Sequence, residues 1–130
     1  MSKSKGQLEA DITEALIKFE KEYMGRGPEQ ARTYIIGDMV VIRLQHVLTP
    51  AEQHLAEMSN ETTGRILIKQ VRTELLEKVR KHLEQIILSL TSRKVKSLHT
   101  DISTVTGERV IIFTLENPVL FQNEEKHGTV

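Results

Sequence analysis

Arginines set beside glycines, and one carboxylate at a helix start, are the residues whose type and spacing suggest chemistry in this chain. Gly25-Arg26-Gly27-Pro28 stands out first: two glycines permit positive φ on either side of an arginine, whose guanidinium can then be presented to an anion as a fork. The same four residues also suit a helix-ending turn with Arg26 in solvent. Arg32, Arg43, Arg65 and Arg72 are further anion-contact candidates. Arg43 matters most among them, because it interrupts the apolar run Met39 to Leu44 and must either face out or be paired. Buried against Glu52, it would be structural. The candidate anion-binding set is therefore Gly25, Arg26, Gly27, Pro28, Arg43, Glu52, Arg65 and Arg72.

Other chemistries lack their residues. The histidines at 46, 54, 82, 99 and 127 never stand three or four apart, so no metal site is expected. His54 and Glu57 read as a solvated pair on a short helix. No Gly-x-Ser-x-Gly or similar nucleophile setting occurs. Thr62-Thr-Gly64-Arg65 lacks the Walker pattern, and Gly25 to Pro28 lacks the third glycine of a dinucleotide loop. The absence of cysteine removes disulfides, thiolate metal sites and cysteine nucleophiles, and fits a reducing compartment. No catalytic residue, metal or cofactor is expected.

Basic clusters at Lys78-Val-Arg-Lys-His82 and Arg93-Lys-Val-Lys96 have no interleaved aromatics. The chain carries 18 basic and 18 acidic residues, so no global field draws it to nucleic acid, and none is expected as a partner.

The elements that must position these residues follow from periodicity. Leu8, Ile12, Ala15, Leu16, Phe19 and Tyr23 recur at helical steps, and Gly25 to Pro28 ends that helix. Ala31 to Ile36 and Met39 to Val47 read as strands joined through Gly37-Asp38. Thr49, Pro50 and Glu52 match a helix cap, a first helical residue and a reciprocal capping box. Ser59-Asn60 interrupts that helix, and Asn60 or Thr62 recaps a long one. Its apolar residues Ile66, Leu67, Val71, Leu75, Val79, Leu83, Ile86, Ile87 and Leu90 run to Thr91. Arg93 to Thr104 and Glu108 to Glu116 form a second hairpin, in which Arg109, Ile111, Phe113 and Leu115 alternate with Val110, Ile112 and Thr114. Both faces of that last strand are apolar, which predicts a central position.

The expected fold is a single α+β domain over 1–116, in the order α-β-β-α-α-β-β. A four-stranded, mainly antiparallel sheet carries helices on one face, and 117–130 form a polar tail. With 130 residues, one core is the natural size. The helix from 62 to 91 would span about 45 Å, against a radius of gyration of roughly 14 Å for a globule of this length. It would project, and its apolar stripe predicts a homodimer through 62–91. The apolar runs are too short to span a bilayer and no signal core follows the N-terminus, so a cytoplasmic location is expected.

Gly25-Arg-Gly-Pro28, then Met39-Val-Val-Ile-Arg-Leu44, then Leu48-Thr-Pro-Ala-Glu52-Gln-His-Leu55 resemble the signature of the MpsC-like family, over roughly Leu8 to Leu115. The resemblance implies a soluble bacterial protein associated with a membrane cation or inorganic-carbon uptake module. It implies no catalytic residue. Gly25, Arg26, Gly27, Pro28, Arg43, Thr49 and Glu52 match the pattern, whereas Arg65 and Arg72 come from the residues alone.

The leading expectation is a dimeric, non-enzymatic accessory or regulatory protein, peripheral at the membrane through a transport subunit, that binds a partner or small anion near the Gly25 to Pro28 turn. An enzyme would instead hold an anionic small molecule with Arg26 and Arg43 and use Glu52 as acid/base. A nucleic-acid-binding protein would use the Lys78 to His82 face.

Overall fold

The computed structural model describes residues 3–58 and 63–121. Helix α1 spans Lys5–Met24, and strands β1 and β2 span Gln30–Ile36 and Met39–Gln45. Helices α2 and α3 span Pro50–Met58 and Thr63–Thr91, and strands β3 and β4 span Val95–Ile102 and Arg109–Leu115. The element order is the expected one. Asn60 and Thr62, expected to recap the long helix, lie outside the described residues.

Each helix boundary has a local cause. Ser4 accepts from Gln7 N while the Gln7 side chain accepts from Ser4 N, a reciprocal cap that satisfies two of the free donors at the start of α1. Gly25 ends α1 with φ 87°, where a β-carbon would be strained. Thr49 and Glu52 form the expected capping box, with Thr49 N donating to Glu52 Oε1 at 2.8 Å and Glu52 N donating to Thr49 Oγ1 at 3.2 Å. Pro50 takes the first turn of α2, where its missing N–H costs nothing.

The four strands form one antiparallel sheet in the order β1-β2-β4-β3. β4 is central, as its two apolar faces predicted. Alternation sorts the sheet into two sides. Thr33, Ile35, Val40, Ile42, Leu44, Arg109, Ile111, Phe113 and Leu115 are buried beneath the helices. Arg32, Tyr34, Ile36 and Arg43 lie on the open side. The Glu9 carboxylate accepts from Ile35 N at 2.9 Å, and Thr13 bonds Thr33 at 2.8 Å. Part of the β1 edge is thus covered by α1.

Leu8, Ile12, Leu16 and Phe19 of α1 meet Ile68, Leu76, Leu83 and Ile87 of α3 over the sheet in one hydrophobic core. That core extends past the expected domain end at 116: Val119 and Phe121 are buried in it, because two large apolar side chains gain more from the core than from solvent. The polar stretch from 122 lies outside the described residues.

Helix α3 has 29 residues, about 43 Å of helix at 1.5 Å per residue. Its buried line runs Gly64, Ile68, Arg72, Leu76, Leu83, Ile87 and Thr91. Ile66, Leu67, Val71 and Leu75 remain 50%, 46%, 53% and 38% exposed, so the apolar residues of its first half form a second stripe that the chain's own core does not use.

Candidate functional site: an arginine-held corner

The link from β2 to α2, His46 to Thr49, is gripped from three directions. Arg26, just past the end of α1, donates from Nη1 to Leu48 O at 2.9 Å, and its Nη2 faces Glu29 Oε1 at 3.6 Å. Arg72, on α3, donates from Nη2 to Val47 O at 2.9 Å. Val47 N donates to Gly107 O at 2.9 Å, tying the corner to the turn before β4. His46 adopts φ 59°, and its Nδ1 lies 3.2 Å from Glu29 Oε2.

Glu52 completes the corner. Arg72 Nε donates to its Oε2 at 2.9 Å and Arg72 Nη2 to its Oε1 at 2.7 Å, the two-pronged geometry that a planar guanidinium offers a carboxylate. Partial burial pushes the Glu52 pKa up, but the bonds from Arg72 and Thr49 outweigh it and hold the carboxyl below its usual value.

Beneath the corner lies a layer of buried charge. Glu20 of α1, Arg72 of α3 and Arg109 of β4 are 0%, 2% and 2% exposed. Glu20 Oε1 stands 3.6 Å from Arg72 Nη1, an attraction at longer than hydrogen-bond range. Among the described residues, both Glu20 oxygens, Arg72 Nη1, and Nε and Nη1 of Arg109 have no hydrogen-bond partner. Burial raises the Glu20 pKa against the opposing pull of Arg109 and Arg72. Burial likewise lowers that of Arg109 against the pull of Glu20. Two cations and the Glu20 and Glu52 carboxylates compensate one another, which is what lets charges persist in this interior.

The structure therefore divides the candidate residues. Gly25 to Pro28, Glu52 and Arg72 converge on the corner. Arg43 is on the other side of the sheet, half exposed, with its Nε donating to Glu108 Oε2 at 2.7 Å. Arg65 is exposed near the start of α3. Both Glu52 oxygens accept from Arg72 or Thr49, and Arg43 lies on the other side of the sheet with Glu108. Sequence reasoning passed over Glu20 and Arg109. Each interrupts an apolar stripe with a charge, Glu20 between Phe19 and Met24 on α1 and Arg109 at the head of Arg109-x-Ile111-x-Phe113, and the two signs are opposite.

A one-sided α+β sandwich whose helices are locked together by a buried ionic layer, with an arginine-gripped corner, is the class of protein these features define. The chain belongs to the MpsC family, described as "Na+-translocating membrane potential-generating system (MpsC)", whose model matches residues 4–117. It is similar to the uncharacterized protein YbcI of Bacillus subtilis (strain 168), at 44% identity over 97% of this chain and 98% of the relative. It is also similar to the uncharacterized protein YrhF of the same strain, at 26% identity over 88% of this chain and 92% of the relative. No solved structure matches it. No helix among the described residues is long and apolar enough to cross a membrane.

Proposed function

We propose that the protein is a non-catalytic accessory or regulatory subunit that works as a homodimer through α3, binds a small anion through its arginines, and serves a membrane cation or inorganic-carbon transport system through a partner subunit. The observation that carries the dimer is the unused stripe Leu67, Val71 and Leu75, flanked by Ile66, along the first half of α3. A second copy fits it by symmetry. With two α3 helices antiparallel about a two-fold axis through Val71, Leu67 meets Leu75 of the second copy and Val71 meets Val71. The apolar centre is thus self-complementary.

The link to a transport system is supported by the family's description, which names a membrane-potential-generating system. Light scattering across a dilution series tests the dimer: wild type is expected at twice the chain mass and Val71→Glu at the chain mass, with an unchanged circular dichroism spectrum. A wild-type protein that stays at the chain mass throughout would refute it.

A further inference from the structure

The open side of the sheet holds a cleft of about 440 Å³ lined by Gln30, Ala31, Arg32, Tyr34, Arg43 and Gln45. Among the described residues no carboxylate lines it. The strand register explains its make-up: Arg32 lies directly opposite Arg43, and Gln30 directly opposite Gln45, on the same face of β1 and β2. Like charges directly opposed on neighbouring strands destabilise a sheet unless counter-charge is supplied. Arg43 has that counter-charge on one side, from Glu108 to its Nε. Arg32 has none: among the described residues its side chain makes no hydrogen bond or ion pair. The pair of arginines is therefore half neutralised, and the unneutralised half faces a cleft whose other walls offer two amides and a phenol.

We infer that this cleft binds the phosphoryl group of a phosphate ester between Arg32 and Arg43. A carboxylate holds its two oxygens in one plane and offers one edge to a guanidinium fork, whereas a phosphoryl group spreads three terminal oxygens around phosphorus and can face two forks from different sides. Gln30 and Gln45 donate to the same oxygens from the adjoining register pair. The cleft is larger than a phosphate, and the exposed ring of Tyr34 beside the arginines gives the organic part of the ester a flat surface to lie on. The inference rests on the anion-binding part of the proposed function and is independent of the dimer.

Titration of the ¹⁵N-labelled full chain, followed by amide shifts, tests it with three probes: inorganic phosphate, phenyl phosphate and benzoate. Saturable shifts are expected at Gln30 to Tyr34 and Arg43 to Gln45, with phenyl phosphate tightest and benzoate weakest. Arg32→Ala should weaken phenyl phosphate at least about tenfold, the loss of charge-assisted hydrogen bonds, while Lys96→Ala, on the opposite edge strand, leaves it unchanged. Arg32 is exposed, so its replacement leaves the fold intact. Co-sedimentation with phosphatidic acid vesicles separates the sources: pelleting that is lost in Arg32→Ala assigns a lipid headgroup, and phenyl phosphate binding without pelleting assigns a soluble ester. Binding unchanged in Arg32→Ala, or benzoate binding as well as phenyl phosphate, overturns the cleft while anion binding stands. No saturable shift with any probe removes both.

Discussion

Arg72 and Glu52, on different helices and 20 residues apart, meet through paired bonds of 2.9 and 2.7 Å, and the same arginine also holds Val47 O and faces Glu20. One side chain on α3 therefore joins α1, α2 and the link between β2 and α2. The residue sits on the helix line between Ile68 and Leu76, where an apolar side chain would serve if packing were all that was needed.

Removing Arg72 alone should be severe. Arg72→Met strands Glu20 without its nearest cation and leaves Val47 O with one donor fewer, an expected loss of about 3–5 kcal/mol in urea unfolding. Replacing Glu20, Arg72 and Arg109 together by methionine removes the buried charges as a set and should cost less than Arg72→Met alone. A triple variant less stable than the single one would show that the layer is net stabilising.

Glu20 should give stability a recognisable pH dependence. Its folded pKa is raised above the ordinary value, so its contribution is complete below the unfolded pKa and is lost as pH rises through the folded one. Glu20→Gln cannot titrate, and its stability relative to wild type should improve between pH 5 and pH 8, as thermal unfolding would record. Glu52 has the opposite sign: its folded pKa is lowered, so its contribution is present above the unfolded pKa and fades as pH falls through the folded one. A relative stability of Glu20→Gln that worsens with rising pH would contradict the assignment.

The two glycines around Arg26 should separate under mutation. Gly25 has φ 87°, and Gly25→Ala should cost about 1–2 kcal/mol for placing a β-carbon in the left-handed region. A β-carbon at Gly27 would meet Lys21 Cε at 2.8 Å and Cγ at 2.9 Å, atoms of a flexible, exposed side chain that can move aside. Gly27→Ala should therefore fall within about 0.5 kcal/mol of wild type in chemical denaturation. Equal effects at both positions would mean that the turn is not set by Gly25 alone.

If α3 pairs antiparallel about Val71, a single cysteine should report it, because the chain has none of its own. Val71→Cys sets two thiols across the axis and should give a disulfide-linked dimer under mild oxidation, while Arg65→Cys, about a third of a turn around the helix, should not. Non-reducing electrophoresis of the two variants is the measurement. Equal crosslinking at both positions, or none at Val71→Cys, would place any contact elsewhere.

Periodicity and turn chemistry made most of this fold legible. The capping box at Thr49 and Glu52, the Gly37-Asp38 hairpin, the end of α1 at Gly25 and the central place of β4 all rest on contacts between near neighbours or on alternation within one strand. Such signals are written locally in the chain. The candidate site was less legible, since a guanidinium can reach several partners and periodicity does not choose among them. Arg43 had two readings, outward or paired, and the structure makes it both, through a Glu108 that is 65 residues away. Glu20 and Arg109 carried a readable sign, a charge set on an apolar stripe, but only tertiary packing brought the two stripes together around Arg72. The same packing divided α3: its apolar residues were evident from spacing, and the fit of α1 and the sheet against one line decided that Leu67, Val71 and Leu75 would be left outside. Local sequence determined the elements and their ends, because backbone geometry depends on adjacent residues. Burial, charge pairing and the unused apolar stripe were decided by the tertiary structure, because each depends on which distant surface arrives to cover them.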